Sequence, residues 1–350
     1  MDTGKLSLVV TWDGASVGAV AVRSTRPQAS VLLKGKTPAQ VMQLVPLLFS
    51  VCGHAQGAAA EAALRAARQI EPGDAIASER KIRCEVLQEH LWRMLLDWPK
   101  VLGLPQHEKL FVMWHGMLRE IAAGNMDMAG LRREFERDWL GMSLPDWSEL
   151  ADVRAWWRES KSPAAQLLAE LDEQASCMRT TSGLLPAWTA EQALIACAGR
   201  WSASFAAAPD YRGGAAETGA RSYHADHPML CGKYSTVSMR LLARLIDTVE
   251  LLDGSGESRL DALGPAAGEG IAVVRTARGL LMHHVQLEAE RVTDYAIVAP
   301  TEWNFHPGGT FVQDMIGLEE RDEASLRRRA HIAALSLDPC VAFEIEVRHA

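Results

Sequence analysis

A mainly helical α+β fold, with a helical bundle core and small β pieces from both chain ends, is predicted for this chain of 350 residues. Through the middle of the sequence, apolar residues recur at i, i+3 and i+4, which is the spacing of amphipathic helices. Near the C-terminal end the apolar period changes to two, as in strands that are buried on one face. Short apolar runs separated by a turn signal open the chain.

The expected elements follow one another along the whole chain. They are strands over 6–10 and 17–22, helices over 38–48, 56–69, 79–97, 106–122, 127–139, 146–159, 162–179, 189–207 and 234–252, strands over 272–275, 280–287 and 295–298, a helix over 322–337 and a strand-like tail after 340.

Local signals justify the first of these elements. Asp13 and Gly14 provide a turn between the two opening strands. Thr37 is a typical N-cap, and Pro38 is well suited to the first position of the helix that follows. The apolar pattern of that helix is interrupted at Cys52, and an alanine-rich helix begins shortly afterwards.

The later elements are bounded by loops and caps. Residues 208–221 are predicted to form a glycine-rich loop, and residues 254–270 a linker. The glycines of that linker do not match a dinucleotide fingerprint, because no helix opens on them. A turn is expected near 291–294. Asp322 is expected to start the last helix, which should end before the pair Asp338-Pro339.

Composition and charge exclude several classes of function. The formal net charge is -8, which disfavours the basic face that non-specific nucleic-acid binding requires. No apolar run approaches the length of a membrane span, and the N-terminus does not resemble a secretory signal. Six cysteines in a chain of this length do not indicate a disulfide framework. We therefore expect a protein of the reducing cytoplasm, without membrane insertion.

The histidines offer limited evidence for a metal site. His224, Asp226 and His227 lie in one predicted loop and are able to hold a cation, but no further ligand lies nearby in sequence, so hydrogen bonding within the loop is the simpler interpretation. His283 and His284 are neighbours on a predicted strand, so their side chains should point to opposite faces. The common nucleophile, phosphate-loop and zinc-peptidase motifs do not occur in the sequence.

Two cysteines are better candidates for chemistry. Cys52 lies at the start of the alanine-rich helix, whose free N–H groups should lower the pKa of the thiol. Cys340 follows an Asp-Pro pair at the end of the last helix. The four remaining cysteines are expected to be buried packing residues, namely Cys84, Cys177, Cys197 and Cys231.

Five segments of the sequence resemble the large subunits of NiFe hydrogenases. Residues 32–64 resemble the segment with the first cysteine motif, CGxCxxxH; residues 277–307 resemble an Arg-Gly followed by Pro-Thr-x-Trp-Asn; and residues 335–343 resemble the C-terminal DPCxxC motif. Residues 12–14 and 217–220 are similar to two further signatures. The resemblance implies a single truncated large-subunit-like domain over 1–350, with an N-terminal motif region 1–75, a helical middle 76–252 and a C-terminal motif region 270–350.

The departures from the motifs change what the resemblance implies. In the family, four cysteines bind the NiFe centre. Cys52 and Cys340 match the two that hold nickel terminally, whereas Ala55 and Phe343 stand at the two bridging positions. Alanine and phenylalanine donate nothing to a metal, and a dinuclear centre needs bridging sulfurs. We therefore expect no nickel, no mature NiFe centre and no hydrogen turnover, that is, a protein that is not an enzyme.

A truncated chain with this pattern resembles the HupK/HoxV accessory proteins. That resemblance implies a cytoplasmic scaffold in hydrogenase maturation, which transiently binds the Fe(CN)2(CO) precursor through Cys52 and Cys340. It also places Arg278, Pro300 and Thr301 around the diatomic ligands of the iron. A cyanide nitrogen is an anionic acceptor, which suits the guanidinium of Arg278 and the hydroxyl of Thr301.

Partners and alternatives follow from the same resemblance. The implied partners are a small chaperone, the iron-cyanide assembly complex and the large-subunit precursor. The alanine-rich helix and the loop 208–231 are suggested as docking surfaces. One alternative is a metal-free binding module that mimics the large subunit to hold maturation proteins or subunit precursors. Another is an unrelated enzyme that uses the His224, Asp226 and His227 loop.

Overall fold

The computed structural model describes residues 4–49, 52–232 and 234–350, and it confirms the mainly helical α+β class. The α-helices are α1 Pro38–Leu48, α2 Gly53–Ala67, α3 Ala75–Trp92, α4 Trp98–Leu102, α5 Glu108–Ala123, α6 Ala129–Phe135, α7 Leu144–Ser148, α8 Val153–Glu159, α9 Pro163–Gln174, α10 Ala190–Ala196, α11 Ala203–Ala207, α12 Ala220–Tyr223, α13 Thr236–Asp253, α14 Pro300–Asn304, α15 Thr310–Met315 and α16 Glu323–Leu337. Single π-helical turns continue α3 over Arg93–Asp97 and α6 over Glu136–Leu140, and short 3-10 turns span Ala29–Leu33 and Pro228–Leu230.

The strands form three small sheets. They are β1 Lys5–Trp12, β2 Val17–Ser24, β3 Gly183–Leu184, β4 Ala216–Glu217, β5 Leu260–Ala266, β6 Glu269–Thr276, β7 Gly279–Glu288, β8 Arg291–Val298 and β9 Ala342–His349. One sheet has the order β2-β1-β9, with β1 and β2 antiparallel and β1 and β9 parallel. Another is the antiparallel meander β5-β6-β7-β8, and β3 pairs with β4. Because β9 pairs with β1, the C-terminal motif region is brought to the N-terminal one.

Helix α2 is a core helix that packs on the meander. Its small side chains, including Ala55, Ala59 and Ala63, are fully buried. A Cβ atom added to Gly270 of β6 would lie 2.0 Å from the carbonyl oxygen of Ala63, and one added to Gly264 of β5 would lie 2.2 Å from that of Ala66. Alanines and glycines therefore face each other because the helix backbone approaches the sheet closely.

This packing corrects one expectation and bears on another. Residues 254–270 are not simply a linker, because they contain β5, and their glycines serve the contact with α2. The suggestion that the alanine-rich helix is a docking surface stays a prediction: most of its alanines lie in the core, but Ala58, Ala62 and Ala66 line a pocket at the surface. The sequence pattern identified the helix. Because alanines occur on several of its faces, the pattern did not indicate which faces are buried.

The predicted helix termini are largely confirmed. The Thr37 side chain accepts from the Gln40 backbone N–H, and the Gln40 side chain accepts from the Thr37 N–H, so α1 begins with a full capping box. Asp322 accepts from the Ser325 N–H at the start of α16. Asp338 ends that helix in a left-handed conformation, with φ of 53°.

Other boundaries were wrong. The helix expected over 146–159 is interrupted, because the Asp152 side chain accepts from two backbone N–H groups and begins α8 anew. The helix expected over 189–207 is interrupted in the same way, because Ser202 caps α11. The turn expected near 291–294 lies at Ala289 and Glu290, both with positive φ, so β8 already starts at Arg291.

Buried side chains form a large core around the helices and a smaller cluster between the meander and α10, α11 and α14. In the ranges that the structure describes, none of the helices combines the length and the apolar character needed to cross a bilayer.

Candidate functional site

Cys52 and Cys340 are distant in sequence, and the fold places them in the same region. Cys52 is the N-cap of α2, and Cys340 lies in the short turn between α16 and β9. A charge on Cys340 raises the pKa of Cys52, so the two sulfurs lie within electrostatic range of each other. Both residues are of intermediate exposure, although the thiol of Cys52 itself is buried.

The pKa of Cys52 is shifted in the opposite direction to the sequence expectation. Burial raises it, Cys340 raises it further, and Arg278 only partly opposes them, so the pKa reaches about 12. The N–H groups at the start of α2 are already used. The carboxylate of Glu85 accepts from the N–H of His54 at 2.8 Å and from that of Ala55 at 3.0 Å. A carboxylate, not the thiol, therefore occupies the positive end of the helix.

Glu85 itself has an unusual ionisation. Burial raises its pKa to about 7, against the two backbone hydrogen bonds that favour the charged form. Glu85 also raises the pKa of Cys52, so it belongs to the surroundings of the thiol pair. Its protonation state therefore changes near neutral pH.

Thr301 contacts Cys340 directly. Its hydroxyl donates to the Cys340 sulfur at 3.2 Å and accepts from the Cys340 N–H at 3.4 Å. Pro300 is the first residue of α14 and fixes the start of that helix. Asn304 accepts from the Thr218 N–H at 2.9 Å and donates to the carbonyl oxygens of Arg278 and Leu337, each at 3.3 Å. Asn304 therefore links α14 to the segment before α12, to the turn before β7 and to the end of α16.

Arg278 is buried and held by two carboxylates. Its guanidinium donates to Glu89 and lies 3.5 Å from Asp338. Burial alone would lower the pKa of Arg278, but Asp338, Glu89 and both candidate cysteines raise it above its usual value. Arg278 is therefore a permanent cation that acts on both thiols.

Asp338 is the centre of a wider ionic cluster. Its carboxylate lies 2.7 Å from Arg93 and 2.9 Å from Arg244, in addition to Arg278. Burial would raise its pKa, but these arginines outweigh burial and hold the pKa below the usual range. The cluster fixes the turn from which Cys340 emerges.

A chain of buried hydrogen bonds leads from the sheet to Cys52. Burial lowers the pKa of His283 to about 3, so its ring is neutral. The ring donates from Nε2 to Gln56 Oε1 at 2.9 Å, and its Nδ1 accepts from the Tyr295 hydroxyl at 2.9 Å. The Gln56 amide is thereby oriented with its NH2 group towards the Cys52 sulfur, at 3.8 Å.

His284 lies on the other face, as expected. It contacts Glu269 at 2.8 Å and stacks on Trp201. The loop histidines also have separate partners: His224 lies 3.1 Å from Asp247, whereas His227 accepts from the Met229 N–H. Across 4–49, 52–232 and 234–350, no three His, Cys, Asp or Glu side chains are grouped so as to hold a metal ion.

Of the four other cysteines, all expected to be buried, two are buried and two are exposed. Cys84 and Cys197 are buried, but Cys177 and Cys231 are exposed. Cys177 lies beside Arg329, whose guanidinium donates to its sulfur at 3.0 Å. Exposure of these two was missed because the ends of their segments are loops, where apolar periodicity gives no indication of burial.

Sequence reasoning missed the carboxylates around the site. Glu85, Glu89 and Arg93 are spaced by four residues, which places them on one face of α3 and its π-helical extension. That spacing was visible in the sequence. The sequence did not indicate that this face packs towards Cys52 and Arg278. Glu89 and Arg278, which are in contact, lie about 190 positions apart in the chain.

The fold is shared with known hydrogenases. The family described as nickel-dependent hydrogenase matches residues 236–343. The Ni-Fe-Se hydrogenase of D. vulgaris Hildenborough has a TM-score of 0.60 and 16% sequence identity, with 95% of each chain covered. The class of fold is therefore that of a NiFe-hydrogenase large subunit, as the sequence motifs predicted.

Comparison with curated proteins narrows this class. The chain is 31% identical to the hydrogenase expression/formation protein HoxV of Cupriavidus necator, with 93% of this chain and 92% of the relative covered. It is 32% identical to the hydrogenase expression/formation protein HupK of Azotobacter vinelandii, with 99% of both covered. The chain belongs to the HupK/HoxV family of hydrogenase expression/formation proteins.

Proposed function

We propose that this protein is a cytoplasmic, non-catalytic scaffold in the maturation of NiFe hydrogenase. It transiently binds the Fe(CN)2(CO) precursor through the thiolates of Cys52 and Cys340 and passes it to the hydrogenase large subunit. The observation that supports the proposal is that these two thiols, distant in sequence, lie within electrostatic range of each other and of the buried cation Arg278. The names of its relatives, hydrogenase expression/formation proteins, support the same role.

The chemistry of loading follows from the thiol pair. Thiolates are suitable ligands for iron that carries cyanide and carbonyl. Each thiol loses its proton to solvent as its sulfur–iron bond forms, the ligands by which the donor held the iron leave, and the iron stays ferrous. Because the unloaded site holds Cys52 protonated, binding is coupled to proton release, which keeps it reversible.

The groups next to the thiols suit the diatomic ligands. Arg278 is fixed in orientation by Glu89 and Asp338, and a guanidinium is a strong donor to an anionic acceptor such as a cyanide nitrogen. The Thr301 hydroxyl is held by the Cys340 backbone and sulfur, so it stays at the edge of the same site. In this proposal Arg278, Pro300 and Thr301 surround the cargo, and the site takes no nickel.

Transfer requires two successive partners. A scaffold of this kind docks a donor, the iron-cyanide assembly complex with its small chaperone, and then an acceptor, the large-subunit precursor. Both interfaces must release, so we expect contacts in the range of transient complexes.

Infrared spectroscopy tests the proposal. The protein is purified without oxygen from cells that mature hydrogenase, and CO and CN stretching bands are recorded. We expect bands in the wild-type protein and their loss in Cys52→Ala and Cys340→Ala. Cys231→Ala, which removes an exposed cysteine outside the pair, is the matched control and should keep them.

Two results would contradict the proposal. One is a wild-type protein without these bands under loading conditions. The other is full hydrogenase maturation in cells that carry the Cys52→Ala, Cys340→Ala double variant, which would favour the metal-free binding module.

A further inference from the structure

A second arginine lies near the candidate site, in a different part of the chain. Arg26 follows β2, and its guanidinium forms an ion pair with Glu302 in which the side chains are 12% and 18% exposed. The segment is fastened by Gln28, whose amide donates to the carbonyl oxygen of Ala203 at 3.1 Å. Glu302 directly follows Thr301, which contacts Cys340. The ion pair is therefore a neighbour of the candidate site.

The ion pair lines a cavity of about 330 Å³. Its walls include Phe49, which precedes Cys52 by three residues, and Ala299, at the start of α14. Among the described residues, Arg26 and Glu302 are the charged groups that line the cavity, and most of the other lining side chains are apolar.

Arg26 also belongs to the surroundings of the sulfurs. Burial lowers its pKa, but Cys340, Glu302 and Cys52 together raise it above the usual value. Arg278 is influenced by the same two thiols, yet it is held by two carboxylates. Arg26 has one carboxylate partner in the ion pairs of the described residues, so it is the cation that can be released more easily.

Loading of the proposed cargo creates an uncompensated charge. Ferrous iron contributes two positive charges, two cyanides and two thiolates contribute four negative ones, and carbon monoxide is neutral, so the bound unit carries a net charge of about -2. A charge that is not balanced in a partly buried site is costly. Arg278 cannot balance it alone, because it contributes a single positive charge that is already paired with Glu89.

We propose that Arg26 is a second recognition residue for this anionic iron-cyanide unit, and that Glu302 is its partner while the site is empty. On loading, the Arg26 guanidinium turns from Glu302 to a cyanide nitrogen of the cargo. The inference rests on the proposed function and adds to it a specificity for an anionic, cyanide-bearing cargo. Glu302 then opposes binding, because its carboxylate lies next to the negative unit.

The two members of the pair should therefore respond in opposite ways. Arg26→Gln should lower the loaded fraction about tenfold, the value of one charge-assisted hydrogen bond. Glu302→Gln should leave loading unchanged or raise it, since it frees Arg26. Arg26→Lys keeps the charge and should recover part of the loss. Arg23→Gln is the matched control, because it removes an exposed arginine of β2 three residues before Arg26.

The measurement is the intensity and position of the CO and CN bands per mole of protein, in samples purified as above, with the unfolding midpoint recorded for each variant. We expect shifted CN bands in the Arg26→Gln protein that remains loaded. If Arg26→Gln loads like wild type with unshifted bands, the inference is wrong while the proposed function stands. Equal losses in Arg26→Gln and Glu302→Gln would mean that the pair is merely structural. If the wild type lacks the bands, both proposals fail.

Discussion

The replacement of Asp338 by asparagine tests whether the ionic cluster holds the Cys340 turn. Asparagine has the same shape and tolerates the left-handed backbone at this position, so the change removes charge and little else. After this change Arg93 would still form its ion pair with Asp97. Among the described residues, Arg244 has no carboxylate partner in an ion pair other than Asp338.

The loss in free energy of unfolding follows from the cation that remains buried without a carboxylate partner. Arg244 would face the ring of His90 at 3.3 Å, and burial lowers the pKa of that histidine, so the ring is neutral. Removing one partner of a buried ion pair costs about 3–5 kcal/mol, which is a large part of the roughly 5–15 kcal/mol that keeps a domain folded. We expect Asp338→Asn to lower the free energy of unfolding by about that amount at pH 7.

Urea unfolding measures this difference, and a neighbouring variant is the control. Asp97→Asn removes a more exposed carboxylate that also pairs with Arg93, and it should cost less than about 1 kcal/mol. The double variant Asp338→Asn, Arg244→Met should recover part of the loss, because no unpaired cation stays buried. A loss below about 1 kcal/mol in Asp338→Asn would refute the reasoning.

Three further predictions concern the thiols and the close helix–sheet contact. Cys340→Ala should lower the pKa of Cys52 from about 12, because it removes a neighbouring negative charge; the pH dependence of iodoacetamide alkylation measures this, and an unchanged profile would contradict the closeness of the two sulfurs. The pKa of Cys52 is higher in the folded than in the unfolded chain, so its contribution to the free energy of unfolding is complete below about pH 8.5 and is lost as pH rises towards 12. Cys52→Ala should therefore weaken the alkaline decrease of the free energy of unfolding, measured with urea at each pH. An unaltered slope would count against this reasoning. Gly270→Ala should destabilise the protein by at least about 1–3 kcal/mol, because the new methyl group would lie 2.0 Å from the Ala63 carbonyl oxygen, whereas Gly18→Ala, with open space around it, should be nearly neutral in the same unfolding experiment.

Local signals in the sequence were sufficient for the architecture. Periodicity located the helices and strands, and caps such as Thr37 and Asp322 were read correctly, because an N-cap depends on residues within one turn of it. The breaks at Asp152 and Ser202 were missed although both are ordinary caps, since the apolar pattern continued across them.

The sequence by itself determined which residue types are available at the candidate site. The motif segments supplied Cys52, Cys340, Arg278 and Thr301, and the resemblance to the family motif showed alanine at position 55, where that motif has a cysteine.

Tertiary structure alone decided how these residues are surrounded. Glu89 holds Arg278, and Arg26 comes from a segment that carries no motif. The direction in which the pKa of Cys52 is shifted depends on burial and on charges that are distant in sequence but close in space. Neither is indicated by the spacing of neighbouring residues in the sequence. A motif specifies the donor atoms, whereas their protonation and partners follow from which chain segments are packed against them.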